Sequence, residues 1–243
     1  MDNFIYTATS GASRSLLAQT VHSNNLANAN TTGFRKDFEY AQSIQLNGSG
    51  FDGRHLSKTN SASTNFNIGE IVETGRDLDV AISGNGFFSV LLPDGTESYT
   101  RMGNLKLDAA GNLTANGFPV VGDGGLINIP EFQKLDISEK GIISITPAGG
   151  GEILEVAQLK LVNPDIQQIQ KNELGLFSEQ DGLVLDFAPE VKLVPRHLEQ
   201  SNVSTINELT QVMSLTRNFE MHIKMMKTAE SIAQAGNKLI NSR

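Results

Sequence analysis

Apolar residues recur at helical spacing near the two ends of the chain and at the shorter spacing of β-strands between them. Toward the C-terminus Val212, Leu215, Phe219, His222, Met226, Ala229, Ala233, Gly236 and Ile240 follow alternating steps of three and four, and Ile206, Leu209, Met213, Thr216 and Ile223 form a second stripe beside them. An α-helix carries every third or fourth residue on one side, so this pattern predicts a long helix whose apolar face is wide enough to touch more than one neighbour. Thr205 and Glu208 have capping-box spacing and Ser204 is an alternative N-cap, which sets the expected start near residue 204. From about Asn3 to Asn28 the chain reads as a second helix, with Ile5, Ala8, Ala12, Leu16 and Leu26 on one side and Ala, Ser and Thr at most other positions. Burying so thin a stripe stabilises little. The segment is therefore either a surface helix of a globular domain or the partner of the C-terminal helix. Pairing would leave apolar surface over on both helices, as an assembly face does. Termini usually fray, and the strongest helical patterns at the extreme ends imply that another copy or another subunit ties them down.

Between the helices the period changes. Strand-like runs occur at 78–82, 87–92, 105–107, 120–121, 126–129, 135–137, 142–145, 156–162 and 183–185. Pro93-Asp94-Gly95 and the stretch from Asp108 to Asn112 supply the fixed or positive φ angles that tight hairpin loops need, and residues 147–151 read as a flexible tip. Residues 77–186 are thus expected to form a compact, mostly antiparallel β domain, with residues 163–171 as a short helical or irregular connection. The segment 39–67 is rich in Ser, Asn, Gly and Thr, and after Leu46 it has only Phe51, Leu56 and Phe66 as sizeable apolar anchors. It reads as a long loop or extended excursion. The expected fold class is α+β: residues 1–36 and 203–243 as packed terminal helices, 37–76 and 187–202 as extended linkers, and the β domain of 77–186 inserted between them.

The 243 residues suffice for one large core or two modest ones. A formal net charge of −8 opposes general nucleic-acid binding, which draws on an excess of Lys and Arg. Cysteine is absent, which removes disulfides and thiolate chemistry. Asp2 stands where a secretory signal has basic residues, and no run is long and apolar enough for a membrane span. Composition alone would place the chain in the cytoplasm.

Catalytic signals are sparse. His22, His55, His197 and His222 fall in unrelated segments without metal-ligand spacing, and His222 sits in the helical stripe as a packing residue. No nucleophile elbow, phosphate loop or dinucleotide fingerprint occurs. Asp77 with Asp79, or Glu131 with Asp136, would serve glycan hydrolysis only at one particular separation, and such pairs are ordinarily solvated surface. Asn-X-Ser/Thr triplets at Asn30, Asn47, Asn112 and Asn202 are expected by chance in an Asn-rich chain. No catalytic residue, cofactor or metal is assigned.

Asn28, Asn30 and Gly33 tolerate left-handed backbone and offer two readings: an ordinary helix C-cap, or a packed corner that turns the chain outward with Leu26 and Phe34 as anchors. On the second reading, Gly33→Val disrupts assembly and leaves the β domain folded. The segment NNLANANTTGFRK, from Asn24 to Lys36, resembles the N-terminal signature of the axial proteins of the bacterial flagellum, the rod and hook family. TGRDLDVAISGNGFFSV followed by YTRMGNLKLDAAGNLTANGFPVVG resembles the central domain of that family, and LEQSNVSTINELTQVMSLTRNFEMHIKMMKTAE resembles its C-terminal part. The start MDNFIYTATSGAS and the stretch from Arg217 to Glu230 look most like a proximal-rod member.

The resemblance implies that the terminal helices pack into an inner helical tube with the β domain outside, and that the tube carries torque from motor to hook. Its interface would include Ile5, Ala12, Leu16, Asn25, Leu26, Asn28, Gly33, Phe34, Ile206, Leu209, Val212, Leu215, Phe219, Met226 and Ala229. The implied partners are other rod subunits in a helical tube and, during secretion, the flagellar export apparatus, which needs no cleaved signal. Neither nucleic acid nor membrane insertion is implied. The implied location is the basal-body rod on the periplasmic side, in place of the cytoplasm. The thin first helix is expected to be poorly ordered before assembly. Rival readings are another rod or hook axial subunit, a transient assembly or capping factor, and an enzyme acting on peptidoglycan.

Overall fold

The computed structural model describes residues 2–45, 55–172, 174–179 and 182–241. It divides into two compact units. The first comprises Met1–Ala29, Lys36–Asn65 and Val203–Arg243; the second comprises Asn30–Arg35 and Phe66–Asn202.

Two long helices dominate the first unit, α1 (Asp2–Ala27) and α2 (Thr205–Asn241). They run antiparallel: Thr9 Oγ1 meets Met226 Sδ at 3.3 Å, Gln19 Nε2 donates to Thr216 at 3.4 Å, and His22 Nδ1 lies 2.6 Å from Glu208. The buried side of α1 is made of small and polar residues, Ala8, Ala12, Ser15, Ala18 and Asn25. Small side chains let helix backbones approach closely. At Gly11 a Cβ would come within 2.4 Å of the His222 ring, so the imidazole lies directly over the glycine. Since α2 starts at Thr205, Ser204 takes the N-cap position, and its carbonyl accepts from Glu208 N at 3.0 Å. Glu208 is not the capping-box partner its spacing offered.

The segment read as a long loop or extended excursion contains a hairpin. Strand β1 (Asp37–Gln45) pairs antiparallel with β2 (His55–Thr64), in register from Asp37↔Thr64 to Gln45↔His55 with one irregularity between Phe38 and Tyr40. Ser, Thr and Asn side chains hid a ladder that depends on backbone groups. Phe51, an expected anchor of this excursion, lies outside the described residues.

The second unit is antiparallel in every ladder among the described residues. Its largest sheet has five strands in the order Leu161–Val162, Phe87–Leu91, Glu97–Thr100, Phe177–Glu179 and Ile169–Lys171. A three-stranded sheet joins Phe132–Ile137, Ile142–Pro147 and Leu154–Gln158. The main core includes Val80, Ile82, Phe88, Leu105, Leu113, Ile143, Leu159 and Leu161. A second cluster joins Phe87, Tyr99, Val162, Ile169 and Phe177, with Phe66 packed against it.

Residues 187–202, expected as linker, contain Lys192–Pro195, paired with Val80–Ser83, and His197–Glu199, paired with Ile71–Glu73. Residues 163–171 are irregular up to a turn and then give the strand Ile169–Lys171. The expected strand at 183–185 is not one. Leu183 and Val184 are exposed, and the run is held where Leu185 N donates to the Tyr99 hydroxyl at 2.9 Å.

Candidate assembly interface

The helical pair leaves a large apolar surface uncovered. On α1 the residues Ile5, Tyr6, Leu16 and Leu17 are exposed, with Tyr6 at 71%. On α2 the exposed set is Ile206, at 79%, Leu209, Met213, Met221, Met225 and Ile232. Large apolar side chains in water cost free energy roughly in proportion to their area, about 25 cal/mol per Å². Aligned along helices of 26 and 37 residues, they form faces suited to contact with other chains.

A polar cluster fixes one end of this pair. Glu208 is 2% exposed and faces His22 Nδ1 at 2.6 Å, Asn25 Nδ2 at 3.4 Å and Lys36 Nζ at 3.5 Å. Asn25 reaches further: its Oδ1 accepts from Asp37 N at 2.9 Å and its Nδ2 donates to Asp37 O at 2.7 Å. One side chain thereby mimics a strand partner for the first residue of β1. Asp37 Oδ1 in turn accepts from the Thr64 hydroxyl at 2.8 Å, which closes the hairpin at its open end. Helix α1 ends beyond Asn25, where Asn28 N donates to Asn24 O at 3.1 Å and Asn28 Nδ2 to the Asn24 side chain at 2.9 Å.

In the second unit three distant segments meet at a buried corner. Glu199 lies between two guanidinium groups, with Arg35 Nη1 at 2.5 Å from Oε1 and Arg101 Nη2 at 2.9 Å from Oε2. All three side chains are buried. Glu199 Oε1 also accepts from Gly69 N at 3.0 Å; Arg35 donates to Asn67 O, and Arg101 donates to Gly86 O and Gly84 O, both at 2.7 Å. Burial pushes the Arg101 guanidinium down to about 10, with Glu199 opposing the shift and Arg35 adding to it. Arg35 is lowered as well, by burial first and against the pull of Glu199.

Gly33 packs into the same corner. Its φ is +67°, its N donates to Glu199 O at 2.8 Å, and an added Cβ would lie 2.4 Å from the main chain of Arg101. Gly33 therefore is not the C-cap of α1, which ends six residues earlier at Ala27. Phe34 is half-buried, with Lys171 Nζ 4.0 Å from its ring centroid.

Three family models match the chain. A model described as flagella basal body rod protein covers residues 5–35, one described as flagellar hook protein FlgE/F/G D1 domain covers 81–145, and one described as flagellar basal body rod FlgEFG protein C-terminal covers 194–239. Each matched segment supplies one member of the buried triad: Arg35, Arg101 and Glu199. Over 99% of its length the chain is 33% identical to the flagellar basal-body rod protein FlgF of Salmonella typhimurium, again over 99% of that protein. The chain belongs to the flagellar basal-body rod protein family. The Escherichia coli FlgF is 32% identical over 99% of both chains, and the FlgG of Borreliella burgdorferi is 31% identical over 97% of both. Membership in the rod-protein family makes the chain a structural rod subunit, most like FlgF.

Within this rod protein the residues singled out from sequence occupy different places. Ile5, Leu16, Ile206 and Leu209 lie on the outer surface of the helical pair. Ala12 and Ala229 are buried within it, while Val212, Leu215, Phe219, Met226 and Leu26 are half-buried. Asn25 is buried against Asp37, Asn28 caps α1, and Gly33 and Phe34 belong to the corner of the second unit. Sequence reasoning missed Arg35, Arg101 and Glu199 as a buried group and gave Glu208 a capping role in place of its contacts with His22, Asn25 and Lys36. The available signal was that these charged residues stand inside or next to the three segments that carried the family resemblance.

Proposed function

We propose that this rod subunit is a permanent structural part of the proximal rod, the helical tube that transmits torque from motor to hook. The observation that carries the proposal is the apolar surface left on both helices after they have paired, at Ile5, Tyr6, Leu16 and Leu17 on one side and Ile206, Leu209, Met213, Met221 and Met225 on the other. In this reading the α1 face of one copy meets the α2 face of the next, as the rod-family resemblance implies. Such heterologous contacts build helical tubes and not closed dimers. Within the tube the terminal helices are the inner layer and the β body the outer one, the division expected for residues 1–36 with 203–243 and for 77–186. Of the segments expected as linkers, the hairpin of 37–64 belongs to the helical unit, and 66–76 with 187–202 belongs to the β unit.

The same proposal includes export through the flagellar apparatus without a cleaved signal and residence on the periplasmic side. Among the described residues no helix is long and apolar enough to cross a membrane, and no cluster of three metal-ligating side chains occurs. The role in this proposal is mechanical, a reading supported by membership in the rod-protein family. Replacing Met221 and Met225 together with Glu tests it: the β body should fold normally while incorporation into purified basal bodies is lost. Undiminished incorporation of that variant would overturn the assignment of this face.

A further inference from the structure

The corner around Glu199 holds one more buried positive charge than negative charge. Two guanidinium groups share a single carboxylate, and their other acceptors, the carbonyls of Asn67, Gly84 and Gly86, are neutral. Neutral dipoles solvate an ion without cancelling its charge, so a buried cation without a counter-charge remains costly. The Nε atoms of both Arg35 and Arg101 are buried and have no hydrogen-bond acceptor among the described residues.

Both arginines line a crevice of about 40 Å³. Its walls are Phe66, Phe87, Pro164 and Ile166, and the side chains of Asn85 and Asn163 also border it. Arg101 lies over the Phe87 ring at 5.7 Å, and Asn163 Nδ2 donates to Glu190 at 3.5 Å. Apolar walls lower the local dielectric and lengthen the reach of the excess charge. A space of this kind holds a water molecule once it exceeds about 10–15 Å³, so the crevice has room for a small ion. One excess positive charge is balanced by one monovalent anion.

We propose that this crevice binds a single small monovalent anion of chloride size, which completes the charge balance of the Arg35–Glu199–Arg101 corner. Two cations then face two anions, and both arginines border the space the ion would occupy.

The test is the NMR line width of chloride titrated with the full chain, because quadrupolar relaxation broadens the signal of any bound fraction. Three chains are compared: wild type, Ile166→Glu, which brings a tethered carboxylate to the half-exposed rim of the crevice, and Leu183→Glu, which adds the same charge at an exposed position outside it. The expected result is saturable broadening in wild type and in Leu183→Glu, displaced by bromide, and lost in Ile166→Glu. No saturable broadening in wild type, undiminished broadening in Ile166→Glu, or equal loss in both variants overturns the proposal. Circular dichroism of Ile166→Glu confirms that the fold is retained, and this surface position keeps the test independent of the triad.

Discussion

Glu199 faces Arg35 and Arg101 with one carboxylate, and its removal leaves both buried guanidinium groups without their shared counter-charge. Glu199→Gln preserves shape but leaves two buried cations without a counter-charge. A loss of about 3–5 kcal/mol in unfolding free energy is expected from breaking such a pair, measured by urea denaturation of the full chain. Arg101 also has a pH signature. Its folded-state value of about 10 lies below the ordinary guanidinium value, so the unfolded chain holds this proton more tightly. Unfolding then takes up a proton above pH 10, and stability relative to Arg101→Met rises as pH climbs through that window. At Gly33 the positive φ alone costs a side chain roughly 1–2 kcal/mol, and overlap with the Arg101 main chain adds to it. Gly33→Val is therefore expected to destabilise the β unit itself, contrary to the reading that treated it as an assembly residue separable from that unit. Asp108 is a small control on the surface: hydrogen bonds from the Asn112 side chain and then its backbone N hold its carboxyl below the usual range. Its titration midpoint, followed by NMR, should move up in Asn112→Ala.

At the scale of elements, the two terminal helices were legible because their apolar spacing is local and long. Which face turns inward was not. The stripe of Ile5, Ala8, Ala12 and Leu16 splits in the structure, with Ala8 and Ala12 inside and Ile5 and Leu16 outside, because close approach to α2 favours the small residues over the large ones. Strands such as Phe87–Leu91 and Ile142–Pro147 were visible as apolar runs. Lys192–Pro195 and His197–Glu199 were not, since each is defined by a partner more than a hundred residues away. The corner was half legible: Gly33 and Phe34 stood out by residue type, whereas a buried Arg or Glu looks in sequence like any surface charge. Helix α1, with its buried face of Ala and Ser, gains little from burial and is expected to be marginal in the separate chain. Amide exchange on soluble monomer should show weak protection across residues 5–28 and strong protection in Phe87–Leu91; strong protection in both would contradict that expectation.

The molecule as a whole combines a β body with a complete core of its own and a helical pair whose outer sides are incomplete without neighbours. The proposed tube-forming role predicts this asymmetry: a unit that folds before assembly and surfaces that are covered within it. The absence of cysteine gives a clean probe of this claim, since any introduced thiol is unique. Single cysteines at Leu16, Leu209 and Met213 are labelled with a hydrophilic maleimide in the soluble chain and in purified basal bodies. Rapid labelling of all three in the soluble chain and strong protection in basal bodies is the predicted result. Equal labelling rates in the two states, or absence of the chain from basal bodies, would contradict the account.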